Sequence, residues 1–178
     1  MKREYINPEY ILESATLFVL TTALMPWAFF YAVIGDFSRG LFLYFLPLEI
    51  RYFREFDISL QFFTPYSGYT AHASNQEPVT TAYIVWIAGT IVFLATVLIV
   101  IGLFINEQWM IDTLPVHPAN LLGGLLGGSG VILSIAAVLM QVSGAFGGIP
   151  VPVGSLFMIV FGGVLLVNPI KSPKQENN

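Results

Sequence analysis

Residues 121–133 read LLGGLLGGSGVIL, and what the glycines do there decides the fold. Glycine runs of this kind hold phosphates, seat nucleophiles, or let two helices touch. A phosphate loop of the form G-x-x-x-x-G-K-[ST] needs a lysine to reach the phosphates, and no lysine occurs between residues 4 and 170. A dinucleotide site needs a βαβ unit around the glycines, whereas this stretch is flanked by apolar sequence of helical length. Ser129, in GGSG at 127–130, needs a base within hydrogen-bond reach to act as a nucleophile, and neither His72 nor His117 falls in the middle of an apolar run. Helix contact remains. Gly123 and Gly127 stand four apart, as do Gly124 and Gly128, so two adjacent G-x-x-x-G ridges lie along one side of a helix. Small residues let backbones approach until dispersion and weak Cα–H contacts replace the hydrophobic drive that lipid does not supply. Gly154, Gly162 and Gly163 occur in the next apolar run, joined to this one by SGAFGGIPVP at 143–152. That run is the expected partner, with a contact between subunits as the rival.

Composition sets the solvent. Of the 178 residues 56% are hydrophobic and 10% charged, too little polar material to cover a water-facing surface, where about 25% charge is usual. The mean hydropathy is +0.75. A net charge of −4 with seven Lys and Arg leaves no basic footprint for nucleic acid, and the absence of cysteine removes disulfides, thiolate metal sites and thiol chemistry.

Apolar runs long enough to cross about 30 Å of hydrocarbon occur four times, at about 12–34, 80–105, 119–142 and 151–167. A proline stands at or just before each start: Pro8, Pro78, Pro118 and Pro152. Pro26 lies inside the first run and is expected to bend that helix. Asn168 and Pro169 stop the fourth, leaving a polar tail at 168–178. The first run is longer than a secretory h-region and no A-x-A site follows, so it reads as an uncleaved anchor. Lys2 and Arg3 precede the first span and Lys171 and Lys174 follow the fourth, against Arg39, Arg51 and Arg54 in the long first loop. The count places both termini in the cytoplasm and the loop at 35–79 outside.

That loop is the one segment outside lipid with enough chain to fold. LEIRYF (48–53) and DISLQFF (57–63) alternate apolar and polar residues about a short polar turn, which predicts two antiparallel strands. Leu48, Ile50 and Tyr52 share one face and Ile58, Leu60 and Phe62 the matching one. A lone hairpin is marginal in water, so this one lies on the helix ends, recruits another strand or pairs with another protein. GLFLYFLPL (40–48) is too short to span and reads as an interfacial segment or a further strand. TPYSGYTAHASNQEP (64–78), with Tyr66 and Tyr69, is a connector with rings at headgroup level or an adhesive surface. Charge is missing from the apolar runs, apart from Glu13 near the start of the first, where it can snorkel. Glu107, Asp112 and His117 sit between the second and third runs with no metal-ligand spacing. No cofactor is implied.

This layout resembles the claudin and peripheral-myelin type of four-helix membrane protein. The likeness consists of cytoplasmic termini, a long first outer loop with strands, a short second one, and LMPWAFF (24–30), an aromatic stretch near the outer end of the first helix. The W…G-L-W…C…C loop signature of those proteins is absent, so no residue role is carried across. The expected molecule is mainly α, an integral four-helix bundle of the cell membrane with a small β-hairpin or sheet in its first outer loop. Its expected role is that of a non-enzymatic accessory or structural subunit, meeting lipid and other membrane subunits or copies of itself. A small transporter or channel component is the first alternative, and a membrane enzyme of unknown type the second.

Overall fold

The computed structural model describes residues 10–34, 38–46, 49–54, 58–63, 77–143 and 150–167. Four helices are present among them: α1 (Ile11–Leu24), α2 (Glu77–Thr113), α3 (Pro118–Val142) and α4 (Val153–Val167). Five strands, β1 (Ala28–Ile34), β2 (Ser38–Tyr44), β3 (Glu49–Arg54), β4 (Ile58–Phe63) and β5 (Pro150–Val151), form one antiparallel sheet in the order β4-β3-β2-β1-β5. Two helices, within Val79–Thr113 and Pro118–Val142, are long and apolar enough to cross a membrane; those at Leu12–Leu24 and Val153–Val167 are shorter.

The first apolar run is not one helix. A helix over 12–34 bent at Pro26 is replaced by a helix that ends at Leu24 and a strand that begins at Ala28. The proline ring disfavours the helical region for the residue before it, and Met25 is extended, with φ −86° and ψ 142°. Beyond it AFFYAVI is rich in aromatic and β-branched residues, and an unbroken apolar run does not by itself distinguish a buried strand from a helix. What decides is pairing: β1 takes seven partners on β2, from Ala28 opposite Tyr44 to Ile34 opposite Ser38. The GLFLYF segment is therefore a central strand.

α2 is two helices in series. Asn106 leaves helical geometry at φ −158°, ψ 88°, and its Oδ1 accepts from the Trp109 N–H at 3.0 Å, the pattern of an N-cap. The short second piece folds back on the first: a Cβ built on Gly102 would sit 2.9 Å from the Met110 sulfur. At the start of α3, Pro118 occupies the first turn and His117 caps it, Nδ1 accepting from the Ala119 N–H at 3.3 Å.

An aromatic knot holds the sheet on the helices. Trp27, Phe30, Tyr44, Tyr83 and Trp86 are buried with ring centroids 5.1–5.8 Å apart in tilted or edge-on pairs. The Trp27 N–H donates to the Tyr44 carbonyl, the Ser155 N–H to the Trp27 carbonyl, and the Thr90 hydroxyl to the Leu46 carbonyl. These bonds tie the exit of α1, the entry of α4 and the side of α2 to the same strands.

Candidate interaction surface: the glycine seam and the sheet face

α3 lies between α2 and α4 and gives each its own stripe. Toward α4 the stripe is Gly123, Gly127, Gly130 and Ser134, at i, i+4, i+7 and i+11. A Cβ on Gly162 would stand 2.5 Å from the Gly127 nitrogen and 2.7 Å from the Gly123 carbonyl oxygen, so the α4 backbone rests on that of α3. A Cβ on Gly130 would stand 2.6 Å from the Ser155 carbonyl oxygen, and one on Gly154 would collide with the Pro26 carbonyl and Trp27 Cα. The seam ends on polar contacts, Ser134 Oγ to Ser155 Oγ at 2.9 Å and Ser134 Oγ donating to the Gly130 carbonyl at 2.8 Å. Toward α2, the buried Ser129 hydroxyl donates to the Gly89 carbonyl at 2.9 Å, and a Cβ on Gly89 would overlap Leu133. The serine of GGSG is thus a link between helices.

Of the glycines named from sequence, Gly123, Gly127 and Gly162 meet in the seam. Gly124, Gly128 and Gly163 do not: among the described residues a Cβ on any of them would meet nothing within 4 Å. The two ridges diverge because neighbouring residues on a helix are separated by about 100°, so one partner helix covers one ridge only. The open ridge continues as Val131, Ile135 and Val138, all exposed. Beside it lies an apolar groove of about 310 Å³ lined by Val131, Ser134, Ile135, Val138, Leu139 and Ile159. Gly130 was missed in the sequence, although it keeps the i+7 spacing from Gly123 that would have found it, whereas Gly154 was named with the glycines of the fourth run and meets Pro26 and Trp27 rather than the third helix.

The sheet has a buried face and an outward one. Ala28, Phe30, Gly40, Phe42 and Tyr44 are buried, alternating with Phe29, Leu41 and Leu43, which are half-buried, and Tyr31, which is 53% exposed. Strand register extends the outward face. Ile50 is paired with Phe62 and Leu43, Tyr52 with Leu60 and Leu41, and Arg54 with Ile58 and Arg39. Five of the partner-surface positions therefore fall on one face, and Ile50 is half-buried there. Leu48, Tyr66 and Tyr69 lie outside the described residues. Phe29, Tyr31, Leu41 and Leu43 join the same face and went unnamed in the sequence; the alternation of leucine with aromatic residues in the 40–45 run signalled Leu41 and Leu43, and the unbroken apolar run at 28–34 gave no signal for Phe29 and Tyr31. β4 forms one edge of the sheet.

The chain belongs to DUF7549. This is a family of unknown function whose profile matches residues 4–169, spanning every helix and strand described above. No curated protein matches the chain. The DUF7549 fold also leaves a groove of about 370 Å³ between α1 and α2, with Glu13 and Glu107 among its lining residues and Leu17, Leu20, Leu103 and Phe104 along its wall. Among the described residues no three His, Asp or Glu side chains come together. His117 is held below its ordinary pKa, mainly by burial, with the Glu107 carboxylate opposing the shift. The indole nitrogens of Trp27 and Trp86 are buried without a hydrogen-bond partner among the described residues.

Proposed function

We propose that this chain is a multi-pass protein of the cell membrane with both termini cytoplasmic, and that it serves as a non-enzymatic accessory or structural subunit of a larger membrane assembly. Kinship of layout with the claudin and peripheral-myelin proteins is part of this proposal. The solvent of the helices is argued from their outward surfaces. Ile84, Ile91, Leu94, Leu98, Ile101 and Ile105 are exposed along α2 over about 32 Å, close to the thickness of bilayer hydrocarbon. In water such a surface would be an aggregation site.

The observation that carries the subunit role is the open ridge of Gly124 and Gly128. Glycine inside a helix costs about 1 kcal/mol relative to alanine, and the described residues of the chain offer these two nothing in return. A helix from another subunit, or from a second copy, docking on the ridge and its adjoining groove explains the choice. The edge strand β4 is a second point at which a partner can join, by adding a strand.

Mass spectrometry of the intact assembly extracted from native membranes tests the role. The expected result is a stoichiometric partner or a defined oligomer, lost on Gly124→Leu or Gly128→Leu while the chain still folds. A monomer in native lipid, indifferent to both substitutions, removes the proposal. A transporter or channel component is the second reading, favoured by the α1–α2 groove with its two carboxylates, and solute flux in liposomes holding this chain alone would establish it.

A further inference from the structure

The outward face of the sheet has an order that neither helix packing nor subunit contact requires. Counting outward from the helices, its first row is Val151, Phe29, Leu43, Ile50 and Phe62, apolar across all five strands. The second, about 7 Å further along the strands, is Tyr31, Leu41, Tyr52 and Leu60. The third is Val33, Arg39, Arg54 and Ile58. An apolar row followed by one that brings in tyrosine is the order met on leaving bilayer hydrocarbon for the interfacial belt.

Three further observations agree. Trp86 of α2 packs against Trp27 and Tyr44 at the root of the sheet, and Ile84, further out on the same helix, is still exposed and apolar, so the hydrophobic layer reaches beyond the root. Leu24, the last residue of α1, is 81% exposed just before the chain enters β1. At the first row, Phe29 and Phe30 are flanked by β2 on one side and β5 on the other, so the backbone at that depth is paired within the sheet, as hydrocarbon demands.

We propose that the outward face of β1 and β2 is seated in the outer leaflet of the bilayer, with Phe29 and Leu43 in hydrocarbon and Tyr31 at the interface. The inference rests on the membrane reading of the helices and adds that the sheet is membrane-embedded at its root.

The chain has no cysteine, so single cysteines at Leu98, Leu43, Leu41 and Thr113 each give one spin-label site. The labelled protein is reconstituted at less than one chain per vesicle, which excludes cover by a second copy, and collisions with oxygen and with a water-soluble nickel chelate are compared. The expected order of depth is Leu98, then Leu43, then Leu41, with nickel collisions at Leu43 several-fold below those at Thr113. Leu43 and Leu41 reading as wet as Thr113, with Leu98 deep, overturns the seated sheet and leaves the membrane reading intact; a wet Leu98 overturns both. Hydroxyl-radical footprinting of the unsubstituted chain in the same vesicles guards against variants that misfold: Phe29 and Leu43 stay unoxidised if seated, and oxidation of both overturns the proposal.

Discussion

Gly123 and Gly124 are adjacent on α3, and so are Gly127 and Gly128, yet the two ridges they form have opposite fates. One is pressed against α4 until backbone meets backbone; the other faces outward with empty space above it. The residue type is identical, so composition does not distinguish them. What separates a structural glycine from one free to serve association is which neighbour the fold supplies, and the two ridges should answer differently to the same substitution.

The largest effect belongs to the packed ridge. Gly162→Ala puts a Cβ on the backbone of Gly123 and Gly127, which cannot rotate away, so α3 and α4 must separate; a loss of about 1–3 kcal/mol is expected in detergent unfolding. Gly127→Ala sharpens the point, because its Cβ would lie 3.8 Å from Gly162 Cα, an ordinary contact, so helix propensity should raise the midpoint by up to about 1 kcal/mol where Gly162→Ala lowers it. Gly124→Ala with Gly128→Ala should act in reverse, raising the stability of the single chain by up to about 1 kcal/mol per site through helix propensity while weakening association. If the packed and open pairs behaved alike, the division between them would be lost.

Smaller effects test the ends and the far side of α3. Ser129→Ala removes the bond to the Gly89 carbonyl and should cost about 0.6 kcal/mol, the usual value for a hydrogen bond between membrane helices, measured in the same unfolding assay. At the N-terminus of α3, protonation of His117 turns Nδ1 from acceptor to donor and breaks the cap on Ala119. Because the folded pKa lies below the ordinary one, the unfolded chain takes up the proton first as pH falls. The contribution is complete above about pH 6.5, the ordinary histidine value, and is lost as pH falls through the lowered folded pKa. His117→Asn, which keeps a capping acceptor, should flatten that dependence in unfolding midpoints recorded from pH 7.5 to 5.

Legibility followed the range of the interaction. Pro118 and the apolar run after it mark the third helix because a start signal and a long run are local. The strands at 49–54 and 58–63 were legible because alternation is local, and their register follows from a short turn. AFFYAVI was not, since seven apolar residues fit a helix as well as a strand until β2 is there to pair with them. β5 was beyond reach altogether: two residues, Pro150 and Val151, become a strand only because Phe29 and Phe30 lie alongside.

The sequence by itself determined the apolar character of the chain, the three helices opened by proline at Pro78, Pro118 and Pro152, the hairpin and the spacing of the glycines, all consequences of composition and of periods a few residues long. Tertiary structure alone decided where the first helix gives way to a strand, which ridge of α3 is filled, and how five separate segments line up in one sheet. Those outcomes depend on backbone pairing and close contact between residues up to more than a hundred positions apart, and no local preference encodes which distant segment arrives.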